Sequence, residues 1–409
     1  MENLSTLEIA KGLIGFNTEN NLKDTREISK YIGGILEDNS IMYRFIRDKH
    51  RIYILSEIGE GKGKKLVLYG HSDVVTAGDH KKWASNPYIP VVKGDKLYGR
   101  GSADMKGGLA AEISAFIELA QDQERLNGKV QLLVSPDEED FDDDRILPRI
   151  IKMSKATACI MGEPHNDDII TGEKGELAYN IRAVGKSSHG STPAAGLDAG
   201  IMLDTFIHEL RDKIEEFNKD ITSKRTKLNE FMRHSSVSIS DEFQLSGATR
   251  DKFIESNPAG TITINVGYFQ AGHNYNIVPD EAEAKIAMLV PYGFDYSTIV
   301  DFIGKNAKRY DGAIVAKMTT GSNASLTESA NPLVGAISEA YTEVKHKNPN
   351  LVFDTGCTDA VFYRTHNIPS VIYGPGYFSN AHVYDEFVSI KEMEASREIY
   401  RKAALNYLA

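Results

Sequence analysis

Cysteine is nearly absent, with Cys159 and Cys357 the only two in 409 residues. Two thiols cannot build a disulfide framework or a cysteine-rich zinc site, so a reducing, cytoplasmic setting is expected. Surplus positive charge is also missing. Asp and Glu number 58 against 47 Lys and Arg, a formal charge of -11, and such a chain repels a phosphate backbone. No nucleic-acid partner is expected. No apolar run reaches the roughly 18 residues that a membrane span needs, and residues 1–21 lack the basic start and apolar core of a signal peptide. Neither an internal repeat nor a low-complexity tract is visible.

The composition, 41% hydrophobic and 26% charged, is that of a globular protein able to bury sizeable cores. The length predicts two domains at roughly 100 to 200 residues each. Apolar spacing predicts helices over 4–16, 25–36 and 107–121, and strands over 51–56, 65–69, 130–135 and 156–161. Strands that alternate with helices predict an α/β fold, a mixed sheet covered by helices on both faces, with strand-end loops free to build a site. From 177 the pattern changes to strand (177–184), helix (198–217), strands (261–268 and 282–289), helix (296–309) and strand (313–318). That order is a self-contained α+β unit. Residues 177–320 are therefore predicted as an inserted domain, and 1–176 with 321–409 as the catalytic domain. Within the insert, 218–260 reads as polar, charged and irregular. The chain closes with a helix over 333–344, short strands near 351 and over 370–373, and a helix over 390–408.

Five strand ends carry the chemically informative residues. The strand over 65–69 runs into His71-Ser-Asp73. A metal-bound imidazole gives its second ring N–H to a carboxylate, which fixes the tautomer, and Asp73 meets that need for His71. Alone, such a pair is more often a surface hydrogen bond. The run Gly99-Arg-Gly-Ser-Ala-Asp104 sets a carboxylate among glycines that permit close backbone approach, although a helix cap is the plainer reading of Asp104. Asp137-Glu-Glu-Asp140 follows the strand over 130–135. An acidic run is usually a solvated loop, but ligands of open sheets bind beyond strand ends, and adjacent carboxylates can divide the work of holding a metal and taking a proton from water. Glu163 ends the strand over 156–161, and His382 follows the Gly374-Pro-Gly376 turn.

In order and wording these pieces resemble the zinc aminoacylase and peptidase family that includes acetylornithine deacetylase, succinyl-diaminopimelate desuccinylase and carboxypeptidase G. The resemblance spans essentially the whole chain and adds Gly185-Lys-Ser-Ser-His189 and Asn276-Ile-Val-Pro279 to the segments above. It implies two zinc ions, with cobalt or manganese as alternatives, bridged by Asp104. His71 and Glu163 would complete one site, Glu139 and His382 the other. It further implies Glu138 as general base and Asp73 beside His71. His189 would donate to the oxyanion, reaching across to a second subunit, so a homodimer through the inserted domain is expected. Asn276, Gly356 and Thr358 are the candidate contacts to a small-molecule substrate.

The resemblance has gaps. Leu289 and Val361 stand where many relatives carry arginines that hold a substrate carboxylate. An aliphatic side chain does not reproduce a guanidinium fork, so a standard desuccinylase of diaminopimelate is not expected. The expected reaction is hydrolysis of the amide in a small N-acylated amino acid. A dipeptidase, a carboxypeptidase or a hydrolase of a non-peptide amide are the alternatives. Arg364 or a lid residue is the candidate substitute for the missing cations.

Overall fold

The computed structural model describes residues 4–61, 63–139, 145–165, 167–223 and 227–409. Asp140, the last of the acidic run, lies outside them.

The strand Lys65–His71 explains the main layer. Leu66 and Leu68 enter one core and Val67 and Tyr69 another, because successive strand residues point to opposite faces. A run buried on both sides reads as continuously apolar. This strand pairs in parallel with Lys129–Ser135 on one side and Ala158–Met161 on the other. Among the described residues the sheet has nine strands, ordered Tyr43–Asp48, Arg51–Ile58, Lys129–Ser135, Lys65–His71, Ala158–Met161, Ser370–Ile372, Asp168–Glu173 and Ser325–Leu326, with Asn350–Asp354 also paired to Asp168–Glu173. Helices Thr6–Ile14, Arg26–Asp38, Gly107–Gln121, Pro332–Lys345 and Ile390–Leu408 fill one face. Leu147–Ser154 and Ala360–Thr365 cover the other. The α/β architecture read from the sequence is the one observed.

The insert is an antiparallel sheet ordered Thr263–Ala271, Glu281–Val290, Gly175–Val184 and Ile314–Gly321. Leu177, Tyr179, Ile181 and Ala183 alternate inward against helices Ala199–Ser223 and Ser297–Lys308. One expectation fails here. The stretch 218–260 is not irregular: Ala199–Ser223 runs on into it, and Lys227–Glu242 and Gly247–Ser256 are helices. Their low hydropathy has a physical reason. The inner face of Lys227–Glu242 carries Ser235, Ser236 and Ser240, all buried, and Ser235 Oγ accepts from Phe353 N at 2.9 Å. Small hydroxyls let this helix close on the edge strand Asn350–Asp354 while satisfying a buried N–H. A third small sheet, Val91–Lys93, Lys96–Tyr98 and Phe387–Ser389, anchors the segment just after His382.

Candidate dinuclear metal site

Each candidate ligand leaves the sheet at the end of a different strand or in the loop that follows. His71 is the last residue of Lys65–His71, Glu139 lies beyond Lys129–Ser135, and Glu163 lies beyond Ala158–Met161. Asp104 lies in the short segment Ser102–Lys106 that leads into helix Gly107–Gln121, and its peptide bond to Met105 is cis. His382 holds a left-handed backbone, φ 61°, uncommon outside glycine and typical of positions held by their surroundings.

These side chains converge. His71 Nε2 lies 3.1 Å from Asp104 Oδ1 and 3.2 Å from Glu163 Oε1. His382 Nε2 lies 3.3 Å from Asp104 Oδ2 and 3.1 Å from Glu139 Oε1. Asp104 thus stands between two imidazoles, one on each oxygen. Ligand atoms of His71, Asp104 and Glu139 lie within 4.8 Å of one another, as do those of His71, Glu138 and Glu163. The Glu138 carboxylate is therefore beside the cluster. Asp73 does more than face His71, whose Nδ1 is 3.0 Å from its carbonyl and 3.4 Å from its carboxylate. That carboxylate also accepts from Glu138 N at 3.2 Å and Glu139 N at 3.0 Å, which fixes the loop bearing both acids.

Protons alone fit this cluster poorly. Each Nε2 can present one N–H, yet each faces two carboxylate oxygens. Burial first, then the Asp104 charge, pushes Glu163 up to about 7. Burial first, then Asp359 and Glu163, pushes Glu138 well above the carboxylate range. Hydrogen bonds to Asp104 and Glu139 raise His382 to about 11. Against the opposing effect of burial, the Glu163 charge and bonds to Asp104 and Asp73 hold His71 well above its ordinary value. Buried carboxylates crowded around imidazoles call for cations. The donor set of imidazole and carboxylate, shared through Asp104, fits two divalent ions.

Residues the sequence reading passed over complete the support. Glu386 accepts from Ala103 N at 2.8 Å, from Gly101 N and Asp104 N at 3.1 Å, and from Arg100 Nη1 at 2.6 Å, so it clamps the turn carrying Asp104. Its position four residues after His382 was the available signal. Glu112, on the buried stretch of helix Gly107–Gln121, has both oxygens buried and unbonded among the described residues. Burial first, then Glu163, holds it well above the ordinary range. Buried His165 stacks on Phe378 and lies 3.8 Å from Glu242 and 3.7 Å from Asp354.

The remaining candidates sit apart. His189 and Asn276 are exposed on two neighbouring lid loops, joined by the His189 to Ile277 bridge, and His189 Nδ1 meets Ser191 Oγ at 2.7 Å. Among the described residues neither bonds to the cluster. Thr358 Oγ1 and N donate to Glu173 at 2.8 and 3.0 Å, and Gly356 O accepts from Lys174 N at 3.1 Å. Arg364 does not replace the missing arginines. It is buried, with Nη1 3.1 Å from Glu173 and Nε donating to Ser370 O at 3.2 Å, because a cation enclosed there needs a fixed partner. His50, His80 and His346 are exposed, as their polar surroundings indicate.

Comparison with known proteins agrees with this geometry. A family model described as Peptidase family M20/M25/M40 matches residues 67–406. A probable succinyl-diaminopimelate desuccinylase of Staphylococcus aureus is 26% identical over 410 residues, covering 98% of this chain and 97% of that protein. An M20 family metallo-carboxypeptidase from Sulfolobus solfataricus has the same fold, with TM-score 0.85, 22% identity and 99% coverage of both chains. A Bacillus subtilis protein described as a dinuclear metal-binding peptidase of family M20 superposes with TM-score 0.61 at 15% identity, covering 93% of this chain and 91% of that one. Fold, site and family together define a metal-dependent hydrolase of amide bonds. The chain belongs to peptidase family M20/M25/M40.

Proposed function

We propose that this hydrolase cleaves the amide bond of a small N-acylated amino acid or related compound, with Glu138 as general base and two zinc ions held by His71, Asp104, Glu139, Glu163 and His382. The observation that carries the reading is the meeting of both imidazoles on opposite oxygens of Asp104, at 3.1 and 3.3 Å, with Glu138 alongside. When bound, the ions would supply Lewis acidity and lower the pKa of water. Glu138 takes the proton of the attacking water and returns it to the departing amine. Asp73 keeps His71 in one tautomer and holds the backbone beneath Glu138 and Glu139.

His189 is the oxyanion donor and Asn276 a substrate contact, both acting from a second copy of the chain. Their separation from the cluster within one chain supports this, as does the exposure of Tyr268 and Phe269 on the lid's edge strand Thr263–Ala271. Gly356 and Thr358 supply further substrate contacts. We place the protein in the cytoplasm, in keeping with its two free cysteines. No helix among the described residues is long and apolar enough to cross a membrane.

The test is Glu138→Gln assayed on N-acetyl, N-succinyl and N-formyl amino acids and dipeptides. Metal content is expected to persist while kcat falls by about 10² to 10⁴. Undiminished activity would remove Glu138 from the mechanism. Light scattering tests the dimer, and a monomer at working concentration would exclude action in trans. A dipeptidase remains the second reading, since the same water would cleave either amide.

A further inference from the structure

The cations nearest the cleft are already engaged. Arg364 is bound to Glu173 at 3.1 Å, Arg145 to Asp359 at 2.6 Å and Asp137 at 3.4 Å, and Lys174 Nζ donates to Pro258 O at 3.0 Å and Thr263 Oγ1 at 3.1 Å. Leu289 and Val361 leave no replacement at the positions where the resemblance expects arginine. Glu176 is a charge without a partner among the described residues. It lies near the start of lid strand Gly175–Val184 and faces Leu289 in register. Its main chain is fixed on both sides, with Ser322 Oγ accepting from its N–H at 3.1 Å and Ser322 N donating to its carbonyl at 2.8 Å. Among the described residues its half-buried carboxylate makes no hydrogen bond and no ion pair, and burial pushes it up to about 7.

Lys174 N donates to Gly356 O at 3.1 Å, and Thr358 N and Oγ1 donate to Glu173 at 3.0 and 2.8 Å, so the backbone entering Glu176 runs against the turn formed by Gly356, Cys357 and Thr358. After burial, the charges of Glu173, Glu176 and Glu138 raise the Cys357 thiol, in keeping with that placement. We propose that Glu176 selects substrates by charge, accepting a protonated amine of the amide substrate and disfavouring an acyl group that ends in a carboxylate. The inference rests on reading the chain as an amide hydrolase using Glu138. A partly desolvated carboxylate with no partner gains a charge-assisted hydrogen bond from an ammonium group. A succinyl carboxylate placed there would meet a like charge instead, which discriminates by repulsion.

The test uses the full chain reconstituted with zinc and two matched substrate pairs: a dipeptide against its N-formyl derivative, and Nα-acetyl-lysine against Nα-acetyl-norleucine. N-succinyl-norleucine is the anionic comparison. In at least one pair the wild type is expected to favour the amine-bearing member by about tenfold in kcat/KM, chiefly through KM. Glu176→Gln should shrink that preference to about twofold while leaving the neutral member nearly unchanged, which also reports an intact fold. Glu176→Lys should turn the preference toward the succinyl compound. A wild type blind to the amine, or a preference that survives both substitutions, overturns the proposal alone. Failure of the metal-loaded wild type to cleave any member overturns the hydrolase reading and this proposal with it.

Discussion

Asp104 shares its two oxygens between His71 and His382, and that arrangement sets the protonation of the metal-free site. With His382 raised to about 11 and His71 held well above its ordinary value, both imidazoles carry protons at neutral pH until cations displace them. Zinc loading at pH about 7 is therefore expected to release about two or more protons per chain. Calorimetry in two buffers of different ionisation heat measures this, and a heat independent of buffer would contradict it. Lys174 offers a second check. Burial lowers its ammonium from 10.5 to about 7, with the Asp354 charge opposing, so the fold favours the neutral amine. Its contribution is full above the ordinary value of 10.5 and is lost as pH falls toward 7. Compared with Lys174→Met, the wild type should gain up to about 5 kcal/mol as pH rises across that window. Urea midpoints of the two proteins give the trend, and a difference that stays flat would argue against it.

Helix Gly107–Gln121 begins where three pieces of backbone crowd together. A Cβ on Gly108 would lie 2.0 Å from Gly162 O, and one on Gly374 would lie 2.1 Å from the same atom. Neither contact can be relieved by turning a side chain. Gly108→Ala should cost about 3 kcal/mol or more and reduce metal content, because the shifted strand end carries Glu163. Thermal denaturation with metal analysis tests this, and near-wild-type values in both would refute it. The serine-faced helix Lys227–Glu242 acts differently, as a brace. Ser238 Oγ donates to Asp168 Oδ2 at 2.6 Å, and Glu242 accepts from Phe378 N and approaches His165. An element that follows the lid strand in sequence thus grips the segment just after Glu163 and the one just before His382.

Across the whole molecule that brace joins the lid to the catalytic sheet. Phe353 N bonds to Ser235, and Lys174 reaches Pro258, so unfolding one unit exposes unsatisfied groups of the other. The metal-free wild type should unfold in a single calorimetric transition. Ser235→Val combined with Glu242→Ala should lower the midpoint by several degrees, since an orphaned buried N–H costs about 1–3 kcal/mol. Two resolved transitions in the wild type would disprove the coupling. The brace was the part least legible beforehand. A helix whose inner face sets Ser235, Ser236 and Ser240 between Met232 and Ile239 has only a broken apolar stripe, and periodicity depends on that stripe, whereas the unbroken apolar run Leu66 to Tyr69 announced a strand directly.

Residue order alone determined the alternation of strand and helix, the loops holding His71, Asp104, Glu139, Glu163 and His382, and the absence of arginine at Leu289 and Val361, because local periodicity and residue chemistry are written along the chain. Tertiary structure decided that Arg364 is consumed by Glu173, that Glu386 clamps the Asp104 turn, and that Glu176 stands opposite Leu289 with no side-chain partner among the described residues. Whether a charge is spent or free depends on neighbours distant in sequence, and only folding brings those neighbours within reach.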